Sequence, residues 1–137
     1  TKYQKRISGP LLDRIDIHVE APAVPWNELA ARDRKVGTST AQMRDQTAAA
    51  RTRQVARQGP GQPNSRLSGK QLDEFAQLTE PARALLGRAI TELGLSARAY
   101  DKIRRVSRTI ADLDNTDIID LPHVSEAVQY RLLDRRV

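Results

Sequence analysis

Between Ala97 and Leu113 apolar side chains recur at Ala99, Ile103, Val106, Ile110 and Leu113. That four-three-four-three spacing predicts one face of an α-helix. Ser96 offers the N-cap, and Asp114-Asn115-Thr116-Asp117 breaks the pattern. Upstream, Leu85, Leu86, Ala89, Ile90 and Leu93 mark a second helical face. It opens at Thr79-Glu80-Pro81, with a capping hydroxyl and a first-turn proline, and stops at Gly94. Leu72, Phe75, Ala76 and Leu78 predict a shorter helix before it. Asp120 and Pro122 open a last one, with Val124, Ala127, Val128 and Leu132 inward. The second half of the chain therefore reads as a short bundle of four helices.

The first half is patterned differently. Ile15-Asp16-Ile17-His18-Val19-Glu20 alternates strictly, which predicts a strand with one buried face, ended by Pro22 and Pro25. Asp16, His18 and Glu20 share its other face. Such a trio can bind a metal, but a solvated or hydrogen-bonded strand face is the preferred reading and no metal site is assigned. From Ser39 to Gln58 the pattern is helical again, with caps among Thr38, Ser39 and Thr40 and a run of alanines at 48–50. Its apolar stripe is thin, only Met43, Thr47 and Ala50. Arg44, Arg51, Arg53 and Arg57 fall on the exposed remainder. A helix this polar is expected to lie across another surface rather than inside a core. Gly59-Pro60-Gly61-Gln62-Pro63-Asn64-Ser65 then forms a linker.

Composition narrows the fold class to mainly α. With 39% hydrophobic and 4% aromatic residues in 137, a large β-sandwich is excluded and the core must rest on aliphatic side chains. No run approaches the roughly 18 apolar residues of a membrane span, so no membrane is expected. The absence of cysteine excludes disulfides and thiolate metal sites, and a cytoplasmic location is expected. The net charge of +6 is unevenly spread. Residues 32–70 hold nine basic side chains against Asp33 and Asp45, residues 1–31 balance, and residues 71–137 hold ten against eleven acidic ones. The excess lies in the middle, and 18 of the 23 basic residues are arginine, suited to bidentate contact with phosphate or carboxylate. Solubility is the plain alternative.

Familiar catalytic patterns are missing. There is no thiol, no nucleophile elbow, and His18 and His123 are distant in sequence. Gly69-Lys70 is followed by Gln71 rather than Ser or Thr, so it is not a phosphate loop. Two arginines stand out instead. Arg14 falls between a helix end at Gly9-Pro10-Leu11-Leu12 and the strand, where a guanidinium can be aimed outward. Arg98 lies in the first turn of its helix and shares a basic stripe with Lys102 and Arg105 beside the apolar face. Arg104 and Arg108 are expected to point away from the core as solvated charge.

At these residues the sequence becomes recognisable. Tyr3-Gln4-Lys5-Arg6-Ile7-Ser8-Gly9-Pro10-Leu11-Leu12-Asp13-Arg14-Ile15-Asp16-Ile17-His18-Val19-Glu20 closely resembles the corresponding stretch of the magnesium-chelatase-like AAA+ ATPases of the ComM/YifB type. A second block runs from Leu95-Ser96-Ala97-Arg98-Ala99-Tyr100 to Leu113, and a third is His123-Val124-Ser125-Glu126-Ala127-Val128-Gln129-Tyr130-Arg131. All three occur in the family's order. The basic Arg32-Asp33-Arg34-Lys35 and the glycine-proline linker match least well.

The resemblance implies the C-terminal portion of such an ATPase, with an upstream part carrying the Walker A and Walker B motifs. It implies an AAA+ C-terminal helical lid bundle, preceded by an extra helix and a remnant β-strand of the nucleotide-binding core. Residues 1–36 would be that core remnant, expected to be poorly ordered alone. Residues 37–66 would be the extra basic helix and linker, and 67–137 the lid. Arg14 matches the family's arginine finger and Arg98 its sensor 2, both directed at ATP phosphates. ATP and magnesium are the implied cofactors of the full-length protein, though not of this segment, which is expected to be inactive alone. The implied partners are its own upstream core, further copies in a hexameric ring, and DNA, through ATP-driven translocation on branched DNA during DNA uptake. DNA contact through Arg44, Arg51, Arg53 and Arg57 rests on charge alone. The rival reading is a free-standing basic helical module binding nucleic acid or a protein. The fragment reading expects a strand with no sheet, whereas the module expects every strand to have a partner.

Overall fold

The structure is a computed structural model that describes residues 8–31 and 37–131. Leu132 and the basic Arg32-Asp33-Arg34-Lys35 lie outside the described residues. Seven α-helices occur among those described. They are α1 (Gly9–Arg14), α2 (Trp26–Ala30), α3 (Thr40–Gln58), α4 (Gly69–Phe75), α5 (Glu80–Leu93), α6 (Ala97–Leu113) and α7 (Leu121–Gln129), with a 3-10 turn at Asn64–Arg66. None is long and apolar enough to cross a membrane.

The helix ends follow the chemistry of their caps. Ser39 accepts from the Gln42 amide at 3.1 Å while the Gln42 side chain accepts from the Ser39 amide at 2.8 Å, a reciprocal pair that satisfies two orphan donors. Ser68 with Gln71 repeats it on α4. Thr79 caps α5, whose other end closes on Gly94 at φ 61°, a left-handed conformation that only glycine adopts without strain. Ser96 caps α6 and Asp120 caps α7. The Thr79 hydroxyl also donates to the Asp120 carboxylate at 2.9 Å, so α5 and α7 begin side by side. Among the described residues one parallel bridge, Leu78 with Ile119, joins the loops that precede them.

Helix α6 is the hub, packing against α3, α4, α7 and the 3-10 turn, while α5 packs on α7. The core gathers Leu67, Leu72, Ala76, Ala82, Leu86, Ile103, Ala111, Ile119, Val124 and Ala127. On α6 the buried face differs from the expected stripe. Ala99, Ile103, Ser107 and Ala111 form a strict every-fourth row that is almost wholly buried, whereas Leu113 is half exposed. Small side chains in that row let neighbouring helices approach closely. Val106 and Ile110 are partly buried and pack against this core, as the stripe predicts. With Leu113 they also line a groove of about 360 Å³ that includes Ile17, Val19 and Tyr130.

Residues 15–20 carry no regular secondary structure, with a bend at Asp16, and no strand forms among the described residues. A ladder needs a neighbour, and here the backbone groups go elsewhere. The His18 amide donates to the Tyr130 carbonyl at 2.7 Å, and side chains of α6 and of the turn after α7 take several carbonyls. Ile17 is 47% and Val19 69% exposed, as expected of a strand face left without a sheet.

The caps carry a pH dependence. The Leu121 backbone N–H, then the Thr79 hydroxyl, hold the Asp120 carboxyl below its usual range. The His123 hydrogen bond does the same for Asp114. Because the Asp120 amide donates to His123 Nδ1 at 2.9 Å, the ring proton sits on Nε2 and is donated to Asp114 at 2.9 Å. Depressed carboxylates add stability above their unfolded pKa, near about 4, and that stability is lost as pH falls through the folded value. Asp120→Asn keeps a capping oxygen without the titration. The parental chain should therefore melt higher than the variant at pH 7, and the gap should narrow as pH falls below the ordinary carboxylate value of about 4. Thermal melts across that range check it, and a gap indifferent to pH would refute it.

Candidate functional site

Helix α1 has only six residues, capped by Ser8, whose hydroxyl accepts from the Leu11 amide at 3.2 Å. So short a helix does not hold itself in water. It is seated by Leu12, which is buried, and by contacts beyond its end. Arg14, at its last position, is exposed, and its guanidinium makes no hydrogen bond or ion pair among the described residues.

Asp13, next to it, is the junction. Its carboxylate accepts from the Ser96 hydroxyl at 2.9 Å, stands 4.0 Å from Arg98 Nε and lies 3.8 Å from Arg131 Nη2. Arg98 occupies the first turn of the seventeen-residue α6 with 55% of its side chain exposed. Arg98 thus lies 4.0 Å from the residue that precedes Arg14, so the lid helix meets the segment that bears the other arginine singled out in the sequence. The N-terminal end of α6 adds its partial positive charge there.

The rest of the expected stripe is used otherwise. Lys102 pairs with Asp16 and donates to the Arg14 carbonyl at 3.1 Å, and Arg105 donates to the Leu67 carbonyl at 2.9 Å. Asp16, His18 and Glu20 do not assemble a metal site. His18 is buried with Nε2 on the Leu12 carbonyl at 3.0 Å, and no cluster of three possible ligands occurs among the described residues.

Residues 37–131 match the family described as magnesium chelatase, subunit ChlI C-terminal. Residues 1–29 match that of magnesium chelatase, subunit ChlI. This chain belongs to the magnesium chelatase ChlI family. It is 38% identical over 134 residues to the competence protein ComM of Haemophilus influenzae, covering 98% of this chain and 26% of that protein. It is 39% identical to the uncharacterized protein YifB of Escherichia coli, with the same coverage. An uncharacterized protein of Mycobacterium tuberculosis is 31% identical over 132 residues, 95% of this chain and 26% of its own. The chain therefore spans about a quarter of the length of these curated relatives. Arg14 lies in the first ChlI match and Arg98 in the second, so the Asp13 contacts join the two segments.

In this ChlI-family chain the basic helix α3 departs from expectation. Met43 is 53% exposed, and the buried positions are Ala50 and Gln54. Arg44 and Arg51 are exposed. Arg53 and Arg57, expected to be exposed too, reach α6 and the loop after it. Arg53 donates to Asn115 at 2.7 Å and pairs with Asp117 at 3.1 Å. Arg57 binds Asp112 through both oxygens, at 2.8 and 3.0 Å. With so little apolar surface, α3 is fastened to α6 by charge.

Arg104 and Arg108 correct the expectation of solvated charge: their exposures are 6% and 1%. Arg104 lies 5.0 Å from the Tyr100 ring centroid and pairs with Asp73 and, at 3.5 Å, with Asp101. Arg108 donates to the carbonyls of Phe75, Thr116 and Asp117 and pairs with Asp112 at 3.1 Å. Burial pushes its pKa below the ordinary guanidinium value, and Asp112 opposes that shift. Asp13, Ser96, Asp112 and Arg131 were not singled out as site residues by sequence reasoning. The Arg108–Asp112 spacing of four was the available signal.

Proposed function

We propose that this chain supplies the helical lid and two phosphate-directed arginines of a ring-forming AAA+ ATPase. The observation that carries the reading is the Asp13 junction, which holds Arg98 beside the turn bearing an uncommitted Arg14. Hydrolysis of ATP spreads negative charge over the γ-phosphoryl oxygens, and a pre-aimed guanidinium stabilises that charge. ATP fits such a corner as the substrate, since two exposed cations and a helix N-terminus favour an anion. The phosphate cradle and magnesium ligands belong, on this reading, to the upstream core. Arg14 works across a subunit boundary, and because Asp13 ties Arg98 to the same corner, both serve the neighbouring subunit's nucleotide. The exposure of Ile17 and Val19 supports a segment that meets a sheet only in the full-length protein. The test is ATP turnover by the full-length protein carrying Arg14→Ala or Arg98→Ala. A parental rate in either variant removes that arginine from the mechanism.

The motor's track in this reading is DNA. With Arg53 and Arg57 engaged by carboxylates, Arg44 and Arg51 are the arginines of α3 left to meet phosphates. Two such contacts give a slope of roughly −2 for log affinity against log salt on duplex DNA. Titrating labelled duplex with the 137-residue chain, parental and with Arg44 and Arg51 replaced by glutamine, measures it. Binding unchanged by the replacement would exclude this face.

A further inference from the structure

The turn that carries Arg14 has no ladder and no glycine cap to hold it. Its carbonyls are nevertheless satisfied. That of Leu12 accepts locally from the Ile15 amide at 3.2 Å and from His18 Nε2 at 3.0 Å, and the remaining donors come from the lid. Arg131, in the turn after α7 and fully buried, donates through Nη2 to the carbonyls of Leu12 at 3.4 Å and Asp13 at 3.3 Å. Through Nη1 it reaches those of Ile15 and, at 3.4 Å, Asp16. Lys102 of α6 takes the Arg14 carbonyl between them. Five consecutive carbonyls, residues 12–16, are thus gripped by two lid cations, while the Tyr130 carbonyl accepts the His18 amide.

We infer that Arg131 is a positioning residue that, with Lys102, clamps the Arg14 turn onto the lid so that Arg14 and Arg98 move as one body. The inference rests on the proposed roles of those two arginines. A guanidinium suits the task because its planar fork of five donors spans several acceptors at once, which an ammonium does not. Burial makes the grip firm, since a carbonyl left unpaired away from water is costly. A helix as short as α1 takes its direction from whatever holds its end. Any tilt of the lid therefore carries the Arg14 guanidinium with it, making the lid's position a control on hydrolysis at the neighbour's nucleotide. Arg131 never touches that nucleotide.

The experiment is steady-state ATP turnover by the full-length protein, comparing Arg131→Gln, Arg131→Lys, Lys102→Ala, Arg14→Ala and the Arg14→Ala/Arg131→Gln double variant. Loosening a positioned group by about 1 Å can cost on the order of 100-fold. Arg131→Gln should lower kcat by roughly 10- to 100-fold with KM for ATP within about twofold. Arg131→Lys should recover part of the loss. In the Arg14→Ala background Arg131→Gln should add almost nothing, because the group it positions is gone. If Arg131→Gln does not fold, Lys102→Ala carries the test. It should lower kcat by about three- to tenfold, again without effect in the Arg14→Ala background. Parental kcat in Arg131→Gln beside a failing Arg14→Ala overturns the clamp and leaves the arginine finger standing. Full additivity in the double variant overturns it too. Parental kcat in Arg14→Ala overturns the finger, and the clamp with it.

Discussion

Replacing Asp112 by alanine is expected to destabilise the 137-residue chain more than any other single carboxylate removal. Its side chain is 0% exposed and holds Arg57 through two bonds, Arg108 at 3.1 Å and the Asn64 amide at 2.9 Å. Removing one partner of a buried pair leaves uncompensated charge and costs about 3–5 kcal/mol. For a domain of this size that corresponds to a fall in melting temperature on the order of 10–20 °C. Arg57→Ala should cost less, because its side chain is 21% exposed and Asp112 retains Arg108 and Asn64. The Arg53–Asp117 pair, whose carboxylate is 92% exposed, should contribute under about 1 kcal/mol. Helix α3 should loosen first in the Asp112 variant, since beyond this network it buries only Ala50 and Gln54. Denaturant melts rank Asp112→Ala, Arg57→Ala and Asp117→Ala, and hydrogen exchange follows the α3 amides. An Asp112→Ala chain within about 1 kcal/mol of the parent would show that the network adds nothing beyond its packing.

Local chemistry made much of the fold legible. Ser39, Thr79, Ser96 and Asp120 cap the helices they were expected to cap, and Gly94 and Asp114 end theirs. These signals reside in a few neighbouring residues and need no tertiary context. The buried face of α6 is harder to read. Apolar periodicity picks out Ala99 and Ile103, which are buried, and Val106 and Ile110, which are partly so. It also favours the half-exposed Leu113 and misses Ser107 and Ala111, small residues that close packing against neighbouring helices selects. Arg104, Arg108 and Arg131 were beyond such reading for a different reason. An arginine is buried only where carbonyls and carboxylates converge, and those acceptors come from loops distant in sequence: Phe75, Thr116 and Asp117 for Arg108, residues 12–16 for Arg131. Arg14 and Arg98 stand out separately, one by its place at a helix end and one by its place in a first turn. The contact of Arg98 with Asp13, the neighbour of Arg14, joins segments far apart in the chain and needed the fold.

The largest catalytic effect is expected from Arg14→Ala in the full-length protein. A guanidinium stabilising phosphoryl-transfer charge is worth about 10³- to 10⁵-fold in rate. The loss should fall on kcat, because the charge develops only as the γ-phosphoryl group departs. Stability should change by no more than about 0.5 kcal/mol, as Arg14 is exposed and its guanidinium has no partner among the described residues to lose. Mixing subunits separates action across a boundary from action within one chain. On the proposed reading, Arg14→Ala subunits should still bind nucleotide, while subunits without the Walker A lysine of the upstream core should bind none but keep Arg14. Each should be inactive alone. In a mixed ring, an Arg14→Ala subunit beside a Walker-deficient neighbour has its own ATP and borrows the neighbour's Arg14. Turnover should therefore reappear on mixing, at a fraction of the parental rate set by how often the two kinds adjoin. If Arg14 served its own subunit's nucleotide, no mixture would contain one complete site, and the rate would stay at the level of the two inactive parents.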